Sequence, residues 1–502
     1  MRKQEWATLT VLTLSTFIVM VDSTVVNIAL PAMLENLGGT LDEATWTLVG
    51  FILPFAASLL FFAKLGDICG RRLLFVSGIG VFTLASLMCA LSPSMEFLIG
   101  ARMVQGIGAA MMEPTALALI TATFPPERFG LAFGVQGIAA GIGASIGPIL
   151  GGIITTGLSW EYIFLLNVPV GAVTIAGALL VIPESRAEGA SRRLDIPGLL
   201  LSGAGIFFLI FAIIEGERLG WASVSILGSF AAAAILLALF LIVELRVREP
   251  LVDLDLFKDR LFAVGNVLRA VVEFATLGIF FALVIFLQIP LGFSALESGL
   301  QLLPLVVTSF FISPLAGNIS DRVDVRLVVV PGLLLVAGGA FWLAHVSSQT
   351  EHTFFIAPLA VLGMGFGALY GPTTGATLRN VPTAQTSVAS GVSYTTFLLG
   401  EQLGLAVVGA LLQSLFVANI KDTLSEASVP SAVADRIASS LSEGGVQLAG
   451  QLSHPGVARI EGLTQSAFAD AVNSALLSCV AVALLGAVVA LFLNSTSRQN
   501  TQ

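Results

Sequence analysis

Apolar residues in this chain come in long unbroken runs separated by short polar segments. The first runs from Ala7 to Leu30. Others follow at 44–63, 73–91, 95–121, 129–157, 161–182, 196–214, 222–243, 261–287, 298–317, 327–346, 354–377, 387–417 and 470–493, fourteen in all. A helix crosses the hydrocarbon core of a bilayer with about 20 apolar residues, and it satisfies its own backbone hydrogen bonds where no water can. The pattern therefore predicts fourteen transmembrane helices in an all-α polytopic membrane protein. The first run is too long for the core of a signal peptide, and no small-residue cleavage site follows it. One polar segment, about 418–468, is long and carries apolar residues at helical spacing. A solvated amphipathic loop and a functional lid both fit it.

Composition closes off the alternatives. Of 502 residues, 56% are hydrophobic and only 11% charged, against about 25% charged in soluble domains. So few charges cannot cover a water-soluble protein of this size. Cys69, Cys89 and Cys479 form no disulfide framework, and His345, His352 and His454 are scattered. No metal-ligand spacing, phosphate loop or nucleophile–base set is visible, so neither an enzyme nor a bound cofactor is expected. No basic patch suggests nucleic acid.

Lysine and arginine orient the spans. With the N-terminus inside, 17 of the 23 lie in inner segments and four (Arg218, Lys421, Arg436 and Arg459) in outer loops, the other two falling within spans. By the positive-inside rule both termini are expected on the cytoplasmic face.

Two segments resemble each other: Ala63–Arg72 with Asp67, Gly70, Arg71 and Arg72, and Gly317–Arg326 with Asp321 and Arg322. Each closes one helix and opens the next. Gly134 and Gly391 match further along. Helices 1–6 and 9–14 thus read as two copies of one unit. The expected organisation is a first six-helix half (1–185), inserted helices 7 and 8 with inner linkers (186–260), and a second half (261–502) that includes the outer segment. Parallel repeats of this kind build transporters whose site lies near the midplane between them.

Several motifs carry a family resemblance. They are Asp22-Ser-Thr-Val-Val-Asn27-Ile-Ala-Leu-Pro31 in helix 1, the 63–72 loop, Arg102-Met-Val-Gln105-Gly106 in helix 4, and Gly143, Gly147, Pro148, Gly151 and Gly152 in helix 5. Trp160–Gly171 and Glu249–Phe257 add support, while Ala63 and Asp324 stand where glycine is usual. The chain resembles the major facilitator superfamily, in its 14-helix drug:proton antiporter branch. The resemblance implies that the 63–72 loop steadies the outward-facing state, that Arg102 assists proton coupling, and that the helix 5 motif marks an antiporter. On physical grounds, Gly70 permits a tight turn and Asp67 can latch Arg71 and Arg72 across helix ends. Glycines at i, i+4 and i+8 let helices approach closely.

Six charges fall within spans: Asp22, Arg102, Glu113, Arg269, Glu273 and Glu401. Each is a candidate for proton coupling, because intramembrane charge is costly. Arg102 either serves coupling or pairs with backbone carbonyls. Arg269 and Glu273, at i and i+4, are placed to pair directly. Glu113 and Glu401 have no opposite charge nearby in sequence. Each is either a proton carrier or a neutral acid bonded to a neighbouring helix.

The expected function is proton-coupled export of an amphipathic, cationic organic molecule by alternating access, with protons as the coupling ion. Export of an endogenous lipid or secreted metabolite uses the same residues, and a non-transporting receptor or scaffold is a remote third reading. A monomer in a bacterial-type inner membrane is expected.

Overall fold

The computed structural model describes residues 3–186, 194–247, 249–347, 350–426 and 457–493. Among the described residues there are 14 helices long and apolar enough to cross a membrane, the number that the run lengths predict. They are α1 (Lys3–Leu37), α2 (Leu41–Cys69), α3 (Arg71–Ala90), α4 (Met95–Thr123), α5 (Phe129–Gly157), α6 (Glu161–Val181), α7 (Ile196–Leu219) and α8 (Val224–Glu244). After the linker come α9 (Arg260–Gln288), α10 (Leu303–Ser320), α11 (Arg326–Leu343), α12 (His352–Leu378), α13 (Thr386–Glu426) and α14 (Val457–Ala490). Among the described residues there is no β-strand.

Local chemistry starts these helices where the sequence changes character. Before α2, the Glu43 carboxylate accepts from the Thr40 N–H at 2.7 Å and the Thr40 hydroxyl accepts from the Glu43 N–H at 3.3 Å. This reciprocal box satisfies two donors that a helix start leaves free. Ser294 and Glu297 build the same box before α10, at 2.8 and 3.2 Å, on the short helix Ala295–Gln301. The offset from Thr40 to Ser294 is 254 residues, as is that from Asp67 to Asp321.

Packing repeats at an interval of eight helices. α1 packs on α5, α2 and α3 on α4, and α1 and α3 on α6; α9 packs on α13, α10 and α11 on α12, and α9 and α11 on α14. The contacts between the two sets repeat as well: α5 lies against α10 and α12, and α13 against α2 and α4. The inserted α7 packs on α8, α2 and α13. With no apolar driving force between helices in lipid, close approach depends on small residues. A Cβ on Gly106 would overlap the Phe51 carbonyl of α2, and one on Gly317 would overlap the Gly130 carbonyl of α5.

Two expectations about the outer side change. α13 continues to Glu426 and α14 begins at Val457, so the polar segment 418–468 enters and leaves as helix. At these two ends the amphipathic spacing is that of helix extensions standing beyond the apolar core. Residues 427–456 lie outside the described residues, as do Arg2, Arg192, Arg193, Arg248, Arg436 and Arg498. Arg218 is the last turn of α7 and not a loop residue; it pairs with Asp42 at 2.8 Å and Glu215 at 2.5 Å.

Candidate functional site: a buried polar axis and a latch

Asp22 is fully buried at the heart of the first six helices. Its Oδ2 accepts from Arg102 Nη1, and its Oδ1 accepts from Gln105 Nε2 at 2.9 Å and Asn167 Nδ2 at 2.7 Å. Arg102 is as closed in. Its Nε donates to the Thr47 carbonyl at 3.1 Å, and its guanidinium lies over the Phe51 ring at 4.5 Å. Gln105 and Asn167 both donate to Ser86 Oγ, at 2.7 and 3.1 Å. Five helices (α1, α2, α3, α4 and α6) thus join in one hydrogen-bond network around this carboxylate. The sequence marked Asp22 and Arg102 singly. Their union, and the parts of Gln105, Ser86 and Asn167, come from the packing.

Glu113 lies on α4, where α1, α5 and α13 converge. Thr16 donates to its Oε2 at 3.3 Å, and Gln136 donates to Thr16 at 3.0 Å. Its Oε1 has no partner; the Tyr394 hydroxyl of α13 faces it without closing a hydrogen bond. No basic group pairs with Glu113 among the described residues. The sequence offered a signal for Tyr394 and Tyr370: the chain has only 3 tyrosines, and these two are the ones that line the axis.

Arg269 departs from expectation. It does not come within ion-pairing distance of Glu273. It donates instead to the Thr374 hydroxyl of α12 and to the Ser393 carbonyl of α13 at 3.3 Å, with Tyr370 and Phe397 rings each at 5.4 Å. The packed rings and the α12 hydroxyl draw the guanidinium sideways, away from its own helix. Glu273 stays buried within electrostatic reach of Arg269, and Glu401, half-buried on α13, lies within reach of Glu273.

The latch residues are assembled, with one substitution of partner. Asp67 Oδ1 accepts from Arg71 Nη2 at 2.8 Å and from the Ser387 hydroxyl of α13 at 2.6 Å. Arg71 also donates to Ser387 Oγ at 3.0 Å and to the Thr383 carbonyl at 2.7 Å. Arg72 turns the other way, donating to the Ile182 carbonyl at 3.0 Å. Gly70, at φ 120°, makes the turn, and a Cβ there would meet the Glu184 carboxylate. In the second copy, Asp321 accepts from the Gly130 and Leu131 N–H groups at the start of α5, at 2.8 and 2.9 Å. Its basic partner is Arg379 at 3.6 Å, not Arg322, which is exposed. The turn after α10 projects Arg322 outward, whereas the end of α12 delivers Arg379 to the carboxylate. Burial pushes the Asp321 carboxyl up from its usual range, opposed by those two N–H groups and by Arg379. Both latches thus join a helix end of one set to a helix of the other.

The helix 5 stripe divides by face. Gly143, Gly147 and Gly151 lie against Phe17–Ile28 of α1, while Gly152 has open space beside it. The Pro148 side chain lies outside the described residues.

Two similar sets of six helices with a further pair between them in sequence, and buried charge within and between the sets, define a multi-pass membrane protein. The chain belongs to the Major Facilitator Superfamily, whose family model matches residues 12–405. It is 32% identical over 496 residues to the "Tetracenomycin C resistance and export protein" of Streptomyces glaucescens, covering 98% of this chain and 92% of that protein. It is also 32% identical over 434 residues to the "Multidrug resistance protein Stp" of Mycobacterium tuberculosis, covering 86% and 80%. The fold matches that of the human organic anion transporter MFSD10 (TETRAN) with a TM-score of 0.62 at 15% identity, over 97% of this chain and 100% of that one.

Proposed function

We propose that this chain is a proton-coupled exporter of small amphipathic molecules, working by alternating access between halves 1–185 and 261–502. The observation that carries the reading is Glu113. It is a fully buried carboxyl with one free oxygen, at the junction of helices from both halves. An ionised carboxylate left unpaired there is costly, so the group suits taking up and giving back a proton as the halves rock. Elsewhere along the axis Glu273 lies within reach of the Arg269 guanidinium and Glu401 within reach of Glu273, so three acids (Glu113, Glu273 and Glu401) are set against one guanidinium, a balance that favours cationic substrates. The Streptomyces and Mycobacterium relatives, named for export and for drug resistance, support the direction of transport and the substrate class. The basic residues favour a cytoplasmic latch end and cytoplasmic termini, which makes the present state, closed at that end, outward-facing.

The test is dye uptake into everted vesicles under an imposed pH gradient. Gradient-driven uptake by the native chain, and its loss in Glu113→Gln with normal expression, is the expected result. Uptake that ignores the gradient would overturn the coupling. A second reading, export of a molecule that the cell makes itself, is favoured by the pairing of resistance and export in the Streptomyces relative's name.

A further inference from the structure

The two inserted helices carry a buried acid pair that the central axis does not use. Asp195 caps the start of α7: its Oδ1 accepts from the Gly198 N–H at 3.0 Å. Glu244 ends α8, and its Oε2 accepts from the Val252 N–H of the linker to α9 at 3.2 Å. Both residues are more than nine-tenths buried, at 7% and 4% exposure. The remaining oxygens, Asp195 Oδ2 and Glu244 Oε1, have no partner. Both flank the same position: a Cβ added to Gly198 would lie 2.8 Å from Glu244 Oε1 and closer still to Asp195 Oδ2. The described charged groups that face Glu244 are Asp195 and Lys64 of α2, and Lys64 is also within reach of the latch carboxylate Asp67.

Two carboxylates that face each other out of water raise the cost of ionising both, and the one ammonium within reach, Lys64, is shared with Asp67. A metal ion is a poor candidate for that ligand. Each carboxyl has already given one oxygen to a backbone N–H, which leaves two, and a hard cation would have to fill its remaining positions with water at a site this buried. No group of three or more His, Cys, Asp or Glu side chains suited to a metal occurs among the described residues.

We infer that Asp195 and Glu244 share a single proton, and that this carboxyl–carboxylate pair is a second protonation site that ties α7, α8 and the linker together at the latch end. The balance is simple: one proton is held between Oδ2 and Oε1, and its loss to water leaves two like charges side by side. Loss of the proton drives the α7 start and the α8 end apart and doubles the negative charge that competes with Asp67 for Lys64. Proton concentration at the latch end thereby reaches the latch through a group outside the transport axis.

Infrared spectroscopy of the full chain in lipid nanodiscs tests the pairing. A protonated-carboxyl C=O band that titrates with pH is expected, persisting in Glu113→Gln/Glu401→Gln. Because the proton is shared, Asp195→Asn and Glu244→Gln should each remove that same band, leaving the remaining acid ionised beside Lys64. Two separate bands, one lost per substitution, would overturn the proposal. So would loss of the native band on adding sodium or magnesium at fixed pH, which would make the pair a cation site. If neither variant folds, Gly198→Ala decides: its methyl separates the oxygens, and an unshifted band refutes the pairing.

Discussion

The side chains at Asp22 and Glu113 are both buried carboxyls, yet the structure gives them opposite circumstances. Asp22 receives three donors, one of them the Arg102 guanidinium. Removing one member of such a pair strands the other charge, at about 3–5 kcal/mol. Asp22→Asn should therefore lower thermal stability in detergent sharply, and adding Arg102→Gln should recover part of it. A double variant no more stable than Asp22→Asn would argue that the pair is not the hub of the bundle. Glu113→Gln keeps the Thr16 contact and strands no charge, so it should alter coupling with little effect on melting. At the 2–3 turn, Gly70 has a backbone conformation that costs a side chain about 1–3 kcal/mol. Gly70→Ala should destabilise by that amount, whereas Gly80→Ala, with open space beside it in α3, should not. Equal melting temperatures for the two would remove the strain argument.

Helices were the most legible level. Run length alone yields fourteen of them, because each lies in lipid and needs a continuous apolar sequence whatever its neighbours are. Their ends were less legible where polar helix stands beyond the core, as at Glu426 and Val457. The repeat is written twice in the chain, in Asp67 and Asp321 and in the two capping boxes, all at one offset. Partner choice was not legible: i,i+4 spacing pointed Arg269 at Glu273, and only the approach of α12 and α13 explains why it turns to Thr374 and Ser393. The same holds for Arg379 displacing Arg322. The glycine stripe makes a prediction about one helix contact. Gly147 faces Thr24 of α1, with no room for a Cβ, so Gly147→Val should force α1 from α5 and abolish gradient-driven uptake. Gly152→Ala, on the open face, should transport like the native chain. Retained uptake in Gly147→Val would show that tight α1–α5 packing is dispensable.

At the scale of the whole molecule, the question is what holds the two helix sets closed at one end. A charge pair confined to the 2–3 turn could only stiffen the first set. The observed bridge is wider, because Asp67 and Arg71 both bond Ser387 of α13, and Arg71 also reaches the Thr383 carbonyl. Hydrogen bonds to charged groups contribute about 1.5–3 kcal/mol each, and a shift of 1.4 kcal/mol changes a two-state ratio about tenfold. The bridge therefore has the strength to set the balance between closed and open at this end. Ser387→Ala removes the α13 hydroxyl while leaving the Asp67–Arg71 pair whole. It should raise the reactivity of a cysteine placed at the latch end and lower it at the opposite end, with Asp67→Asn giving a larger change in the same sense. If Ser387→Ala leaves both reactivities alone while Asp67→Asn shifts them, the latch acts within one set of helices, and its bond to α13 is a bystander of closure.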